Sequence, residues 1–351
     1  MTRSDHQGLH IPDPALEGEL RRGLDDVEEM LLKVVRSDTA FVSETAAYLL
    51  DAGGKRFRPM LVLLAGRFGD PGDSRLVRTA VAVELTHVAT LYHDDVIDEA
   101  EHRRGIESVN HRWDNTVAIL AGDYLFAKAS ELAAELGSEV SRLLARTIAT
   151  LCDGQIREVQ GAGRLDGAVE AYMETIRRKT AALIATSCRM GALMSDADAE
   201  TADRLDAFGE SLGVAFQLSD DIMDVIATEA DLGKDPGVDL KEGVYTLPVL
   251  YALERSERGP ELRALLEPGP PEGRRLADSL ELVRSDAALG PAREAVTEHV
   301  RRAMRAIEPL PEGSSREALE HLAVFLATRC GALAPLGPSG SGTPPFGASA
   351  P

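Results

Sequence analysis

The chain has 351 residues, of which 44% are hydrophobic and only 4% aromatic, so it is long enough to bury a large core. Its formal charge of −20 excludes a broad nucleic-acid-binding surface, because such a surface must be basic. The cysteines, Cys152, Cys188 and Cys330, are too few and too widely spaced for a disulfide framework or a zinc site.

No segment of the sequence predicts export or membrane insertion. The first twenty residues contain no apolar stretch of the kind that forms a signal peptide. No later segment offers the roughly 20 consecutive apolar residues that span a bilayer. We therefore expect a soluble, cytoplasmic protein.

Apolar residues recur every three or four positions along most of the chain, which predicts an all-α protein. The first helix begins near Pro14, the second passes through 46–50 and ends at Gly53-Gly54, and the third starts at Pro59. Further helices are predicted over 74–98, 116–136, 139–160, 168–194, 199–227, 244–256, 272–287, 291–307 and 315–332.

Two segments interrupt this helical pattern. Residues 256–273 are predicted to form a surface loop with at most one short helical turn. Residues 335–351 are too rich in Pro, Gly and Ser to fold. With a flexible N-terminus at 1–13, the pattern predicts a single helical domain over 14–334.

Two acidic motifs share the spacing DDxxD: Asp94, Asp95 and Asp98 in LYHDDVID, and Asp220, Asp221 and Asp224 in QLSDDIMD. Carboxylates one helical turn apart repel each other, and a divalent cation would relieve that repulsion. Each motif ends a mostly apolar helical stretch, where an unpaired carboxylate is unfavourable to bury. The spacing alone is weak evidence, because a similar cluster, DDVEE from Asp25, is best interpreted as a solvated helix face.

The type of ion can be narrowed by elimination. The sequence lacks the glycine-centred calcium loop and the His/Cys spacings of a zinc site. Magnesium is usually held by one or two carboxylates together with substrate phosphates. The paired aspartates therefore indicate Mg²⁺ shared with a phosphorylated ligand.

Basic residues accompany both acidic motifs. A glycine pair precedes three of them in GGKRFRP, and glycine allows a close backbone approach to phosphate. The members of this basic set are Lys55, Arg56, Arg58, His87, Arg103, Arg104, Lys179 and Lys234. Any single one fits an ordinary surface charge or, for His87, a satisfied core residue. Together they supply the positive charge that two diphosphates need in an acidic protein.

These motifs make the chain similar to the trans-prenyl diphosphate synthases, the polyprenyl synthetase family, over about residues 20–333. The matching segments are GGKRFRP, ELTHVATLYHDDVIDEAEHRRG, the Lys-Thr-Ala at 179–181, and FQLSDDIMD followed by GKDPGVDLKEGVYTLP. Two DDxxD motifs in this order, each with its flanking residues, form a highly specific signature.

The resemblance implies a role for each matching residue. The main magnesium ligands are expected to be Asp94, Asp98 and Asp220, with Asp95, Asp221 and Asp224 as direct or indirect support. Isopentenyl diphosphate is expected to bind Lys55, Arg58, His87 and Arg104. The allylic diphosphate is expected to bind Arg103, Lys179 and Lys234, while Thr180 and Gln217 face the developing carbocation.

The resemblance also implies the architecture and the partners. The expected fold is a bundle of about a dozen helices around a deep central cavity, usually as a homodimer. About three Mg²⁺ ions are expected per active site with substrate bound. Because the product is very apolar, we expect transient membrane contact when it is released. One departure from the family is Val244, where many members have Lys; some actinobacterial long-chain synthases resemble this chain there.

The expected reaction follows from these parts. Magnesium and cations stabilise the diphosphate leaving group, and the double bond of isopentenyl diphosphate attacks the allylic cation. Elongation continues until a bulky side chain blocks the product. The resemblance says that small residues before the first aspartate motif, here Thr86, Ala89 and Thr90, allow long chains. Deeper side chains such as Leu125 or Phe126 could shorten the product.

We expect an all-trans polyprenyl product of about thirty carbons or more, grown on farnesyl or geranylgeranyl diphosphate and suited to a quinone side chain. Three alternatives remain open from the sequence. They are a geranylgeranyl-type short-chain synthase, a class I terpene cyclase, and a non-catalytic subunit of a heteromeric synthase.

Overall fold

Helices make up almost all of the secondary structure, as the apolar periodicity predicts. The computed structural model describes residues 11–166, 169–226 and 236–333. Within the last range, only the backbone of Asp286 is described. Lys234, residues 1–10 and the tail 335–351 lie outside this part of the chain. Within it, the only strands are two strands of two residues each, which pair as an antiparallel hairpin. No helix among the described residues is both long enough and apolar enough to cross a bilayer.

Among the described residues of the first half of the chain there are seven helices and the hairpin. Their bounds are α1 Pro14–Val34, α2 Ala40–Asp51, α3 Phe57–Gly66, α4 Arg75–Ile97, β1 His102–Arg103, β2 Ile106–Glu107, α5 Val109–Arg112, α6 Asn115–Leu136 and α7 Ser138–Gly161.

The second half begins with α8 Val169–Ile176, which continues through a π-helical segment, Arg177–Ala181, into α9 Ala182–Met194. The other helices in the described part of the chain are α10 Ala199–Ile226, α11 Val238–Lys241, α12 Leu247–Arg255, α13 Gly259–Leu266, α14 Gly273–Val283, α15 Asp286–Ile307 and α16 Ser314–Arg329.

The chain forms two compact units. The first comprises the described residues of 11–149, 183–209 and 310–319. Its central element is α4, which packs against α1, α3 and α6. The apolar stripe of α1 is buried as predicted, at Leu16, Leu20, Leu24, Val27 and Leu31.

The second unit comprises the described residues of 150–182, 210–309 and 320–333. Here α12 packs against α15 and the shorter α13 and α14. Because α10 and α16 each run through a boundary of the units, only their C-terminal parts belong to the second unit.

Three local predictions are wrong. The predicted loop at 256–273 contains the two-turn helix α13, which Pro260 starts and whose Leu262 and Leu266 are buried one turn apart. The predicted break before Pro291 is absent, since α15 runs through that proline with Leu289 and Ala292 buried on either side. The predicted helix 168–194 is interrupted by the π-helical segment.

Candidate functional site

The first aspartate motif lies at the C-terminal end of α4 in the first unit. Asp94 is half-buried, Asp98 is exposed at the C-cap, and Asp95 is fully buried between them. Asp95 Oδ1 accepts a hydrogen bond from Arg103 Nε at 2.6 Å, whereas its Oδ2 has no hydrogen-bond partner among the described residues. Burial raises the pKa of Asp95, although the neighbouring Arg103 opposes this effect. A second cation near this carboxylate would therefore be stabilising.

The hairpin after α4 carries the adjacent arginines. Arg103 pairs with Ile106, so the two-residue turn is Arg104-Gly105, and both turn residues have positive φ, at 54° and 78°. These values are typical of the tight hairpin turns that match the twist of the strands. The turn sends the two arginine side chains to different partners. Arg103 holds Asp95, while Arg104 donates to the carbonyl oxygens of Leu49 and Gly53.

The loop GGKRFRP is anchored by Arg56, a residue to which the sequence assigns no separate role. Arg56 has φ of 45° and is only 2% exposed. Its guanidinium donates to Glu28 Oε1 at 2.5 Å, to Glu84 Oε1 at 2.9 Å and to the Leu50 carbonyl at 3.0 Å. These bonds fix the loop against α1, α2 and α4. Lys55 next to it is exposed and Arg58 is half-buried.

His87 lies where the positive charges of the first unit converge. Its pKa is well below the ordinary value, because the ring is buried and the positive charges of Arg58, Arg104, Arg56 and Arg103 disfavour a further proton. The imidazole is therefore neutral at physiological pH. The structure brings together Arg58, His87 and Arg104, three of the four residues predicted to bind isopentenyl diphosphate. An electropositive cluster of this kind is suited to an anion.

The second aspartate motif lies on α10 in the second unit, and its three carboxylates have different partners. Asp220 forms an ion pair with Arg329 of α16, with 2.5 Å between Oδ1 and Nη2. Asp224 accepts from the backbone amides of Val238 and Asp239 at 3.3 Å each, at the start of α11. Asp221 is 2% exposed and lies among side chains rather than backbone amides.

Asp221 receives hydrogen bonds on both of its oxygens. The Tyr172 hydroxyl of α8 donates to Oδ2, and Gln217 Nε2 donates to Oδ1 at 2.8 Å. Burial raises the pKa of Asp221 to about 7, even though both donors favour the ionised form. Gln217 Oε1 in turn accepts from Thr180 Oγ1 at 2.8 Å.

The π-helical segment contains Lys179 and Thr180. Such segments insert one extra residue into a helix and are frequent at functional sites. Lys179 donates to Glu158 of α7, so the lysine that the sequence places in an apolar helix has an acidic partner. Gly154 of α7 makes this approach feasible, since a Cβ there would lie 2.5 Å from the Lys179 backbone nitrogen.

Among the described residues, no three or more His, Cys, Asp or Glu side chains are arranged to enclose a metal ion. The donors that the two motifs do offer are carboxylate oxygens, including the buried Oδ2 of Asp95. This donor set fits Mg²⁺, which keeps much of its shell for water and substrate phosphates. Lys234, the remaining predicted cation, lies outside the described residues.

Sequence patterns missed four residues that hold the predicted ones in place: Arg56, Glu84, Tyr172 and Arg329. Glu84 lies one turn before His87 on α4, and Tyr172 lies two turns before Lys179, so helical spacing gives a weak signal for both. Arg329 had no such signal, because its partner Asp220 is 109 residues away.

The chain matches the family model "Polyprenyl synthetase" over residues 39–283. It is 39% identical over 328 residues to the nonaprenyl diphosphate synthase of Mycobacterium tuberculosis, covering 92% of this chain and 97% of that protein. It is 41% identical over 304 residues to the heptaprenyl diphosphate synthase component 2 of Geobacillus stearothermophilus, covering 86% and 94%.

Among solved structures, the chain is similar to the geranylgeranyl pyrophosphate synthase of Corynebacterium glutamicum, complexed with calcium and isoprenyl diphosphate. The TM-score is 0.81 and the sequence identity 41%, over 91% of this chain and 99% of that one.

Proposed function

The chain belongs to the polyprenyl synthetase family, and on that premise we propose that it adds isopentenyl diphosphate units to an allylic diphosphate until an all-trans product of about thirty carbons or more is reached. The observation that carries the proposal is the pair of aspartate motifs, each accompanied by cations in its own unit. The residues in and around these motifs divide into groups with separate tasks.

We assign isopentenyl diphosphate to Lys55, Arg58, His87 and Arg104 in the first unit. The neutral ring of His87 can donate a hydrogen bond to a diphosphate oxygen without adding a charge that must be neutralised. The surrounding guanidinium groups provide planar, permanently charged donors for the same oxygens. Arg56 lies behind them and fixes the loop through Glu28 and Glu84.

We assign the allylic diphosphate to Arg103, held by Asp95, and to Lys179 and Lys234. The metal ligands are proposed to be Asp94, Asp98 and Asp220, with the other three aspartates in support. Bound Mg²⁺ would neutralise the charge that develops on the departing diphosphate. Thr180 and Gln217 are proposed to face the allylic carbon that becomes positive.

The remaining steps need no nucleophilic side chain. The bond from the allylic carbon to diphosphate oxygen breaks, and the double bond of isopentenyl diphosphate supplies the electron pair for the new carbon–carbon bond. Loss of a proton, taken up by the released diphosphate, restores a double bond. The product is again an allylic diphosphate, so the same groups can repeat the reaction.

Sequence identity alone does not distinguish a long product from a short one. Proteins named as nonaprenyl and geranylgeranyl synthases match this chain at 39% and 41% identity. A long product is supported by the side chains of α4 in the two turns that precede Asp94. Ala89 is fully buried, and the hydroxyls of Thr86 and Thr90 donate to the carbonyls of Ala82 and His87 in their own helix. This face of α4 is therefore small and largely apolar, as an isoprenoid chain requires.

A second candidate function is that of one subunit in a heteromeric synthase. It is favoured by a single observation, the 41% identity to a protein named heptaprenyl diphosphate synthase component 2. The two candidates differ in whether this chain alone is active.

The test is incorporation of labelled isopentenyl diphosphate by the purified chain, with Mg²⁺ and farnesyl diphosphate. We expect incorporation without any added protein. It should be abolished by EDTA and lowered at least about a thousandfold by Asp94→Ala. A matched control is Asp26→Ala, which removes an exposed carboxylate of the DDVEE segment and should leave the rate unchanged. Inactivity with both farnesyl and geranylgeranyl primers would favour the subunit alternative.

A further inference from the structure

A hydrogen-bonded chain of four side chains connects α8, the π-helical segment and α10 within the second unit. It runs from the Tyr172 hydroxyl to Asp221 Oδ2, from Asp221 Oδ1 to Gln217 Nε2, and from Gln217 Oε1 to Thr180 Oγ1. Three of its members are in the matching motifs. Tyr172 is not, and no role is assigned to it so far.

We propose that Tyr172 is a positioning residue, which acts on Thr180 through Asp221 and Gln217. The proposal rests on the proposed function for what Thr180 does, but the chain of contacts itself is independent of it.

Asp221 decides which way the Gln217 amide points. An amide has two orientations, which exchange its carbonyl oxygen and its NH₂ group. Both oxygens of Asp221 accept hydrogen bonds in the structure, Oδ2 from Tyr172 and Oδ1 from the Gln217 NH₂ group. The other amide orientation would place two acceptor oxygens against each other. The carbonyl oxygen of Gln217 then has to face Thr180.

The Gln217 orientation determines how the Thr180 hydroxyl is used. A threonine has one hydroxyl hydrogen, and here it is directed to Gln217 Oε1 at 2.8 Å. The lone pairs of Thr180 Oγ1 therefore remain available. For a group that is proposed to face a developing positive charge, an oxygen with its lone pairs directed outward is stabilising and a hydroxyl hydrogen is not.

Tyr172 fixes the carboxylate that sets this order. Asp221 is 2% exposed, so an oxygen that lost the Tyr172 hydroxyl would have no water to replace it. The carboxyl group would rotate toward another donor, and Gln217 would lose its charged partner. Phenylalanine at this position keeps the ring and removes only the hydroxyl, so it separates this role from packing.

The π-helical segment determines which of its side chains faces Gln217. Thr180 is 8% exposed and belongs to the segment in which the regular helix is interrupted. In a regular helix the residues after Arg177 would be rotated by about 100° per residue inserted. The interruption therefore selects which residue faces Gln217, and that residue is a threonine.

The test is a double-mutant cycle with Tyr172→Phe and Thr180→Val, read in two ways. In steady-state assays, we expect each single variant to lower kcat about tenfold with little change in the KM for isopentenyl diphosphate. We expect the double variant to be no slower than the slower single variant, because both substitutions break the same hydrogen-bonded chain of side chains. The matched control is Tyr251→Phe. The ring of Tyr251, in α12, has its centroid 3.9 Å from the Arg255 guanidinium, and this residue is not one of the four in the hydrogen-bonded chain. Its effect should be close to none and should multiply with that of Thr180→Val.

The second readout is the urea midpoint of unfolding for the same variants, which requires no activity. Non-additive midpoints with Tyr172→Phe and Thr180→Val would support the chain of contacts even if the protein proved inactive and the proposed function failed. Additive midpoints together with multiplicative rates, or an unchanged kcat in Tyr172→Phe, would overturn the proposal. A Tyr172→Phe variant that loses stability but keeps kcat would make Tyr172 a packing residue only.

Discussion

Arg329, in the last turn of α16, forms an ion pair with Asp220, the first aspartate of the second motif. The guanidinium also donates to Ser219 Oγ at 2.8 Å and to the Phe216 carbonyl at 3.3 Å, so three residues within about one turn of α10 hold it. The C-terminal helix therefore supplies a positive charge to a cluster of three aspartates. In the absence of a divalent cation, this charge offsets part of their mutual repulsion.

Replacing Arg329 by Gln should make the protein more dependent on Mg²⁺ for its stability. The side chains of the pair are 21% and 42% exposed, so the loss without metal should be modest, about 1 kcal/mol in the free energy of unfolding. Thermal unfolding with and without Mg²⁺ measures it. We expect a larger Mg²⁺-induced rise in Tm for Arg329→Gln than for the unchanged protein, and an intermediate rise for Arg329→Lys.

Arg274 provides the control for this experiment, since its side chain is 94% exposed and forms an ion pair with Asp278, one turn away on its own helix. Arg274→Gln should respond to Mg²⁺ as the unchanged protein does. An equal rise for Arg329→Gln would mean that Arg329 does not act on the carboxylates proposed to bind Mg²⁺.

Arg56 should be among the most sensitive residues for stability. Its substitution by Met leaves Glu84, whose side chain is 3% exposed, buried without its principal partner. Removing one member of a buried ion pair typically lowers the free energy of unfolding by about 3–5 kcal/mol. Urea denaturation measures this loss. The combination Arg56→Met with Glu84→Gln should recover much of it, and failure of the second change to recover any stability would contradict the assigned pairing.

Ala89→Phe should shorten the product. Ala89 is fully buried on α4 one turn before the aspartate motif, so a ring there would occupy volume that the growing chain needs. Product lengths after hydrolysis of the diphosphates measure the effect, and Ala89→Leu should give an intermediate length. Thr90→Val is the control, because it removes only a hydroxyl that is bonded to the helix backbone. Unchanged length in Ala89→Phe would place the product elsewhere.

His299 should make the protein less stable in mild acid. Burial lowers its pKa to about 4; Arg302 and Arg177 add to this effect, while Glu298 opposes it. Since an unfolded histidine has a pKa of about 6.5, the unfolded state takes up the proton first, and stability is lost as pH falls from 6.5 toward 4. Between pH 7 and pH 5 the loss is about 2 kcal/mol.

His299→Leu should remove this part of the pH dependence, which urea unfolding at the two pH values would reveal. His111, which is exposed on α5, provides the control, and His111→Leu should leave the slope as it was. Equal slopes in all three proteins would show that His299 is protonated in the folded state at pH 5.

The long helices were predictable because their burial follows one simple period. The predicted ranges 74–98 and 116–136 differ from the observed bounds of α4 and α6 by at most one residue at each end, and α1 begins at Pro14 as predicted. The helix α13 was missed because Pro and Gly surround it, and these residues are typical of loops as well as of helix ends. The π-helical segment could not be foreseen, since one additional residue shifts the apolar pattern too little to be noticed in a short stretch.

In the candidate site, too, some residues could be predicted from the sequence and others could not. The residues proposed to contact substrate or metal form local motifs, which can be recognised from the sequence. Residues that hold them in place do so across the fold: Glu28 binds Arg56 from 28 residues away, and Tyr172 binds Asp221 from 49 residues away. No local pattern encodes such pairs, because the folded chain brings them together.

The most direct test of the proposed function is the length of the product that the purified chain makes alone. The protein would be incubated with Mg²⁺, farnesyl diphosphate and excess labelled isopentenyl diphosphate, and the hydrolysed products would be separated by chain length. We expect a series of intermediates that ends at one polyprenol of about thirty carbons or more. A series that ends at about twenty carbons would contradict the assignment of a long product, and the small face of α4 would then need another explanation.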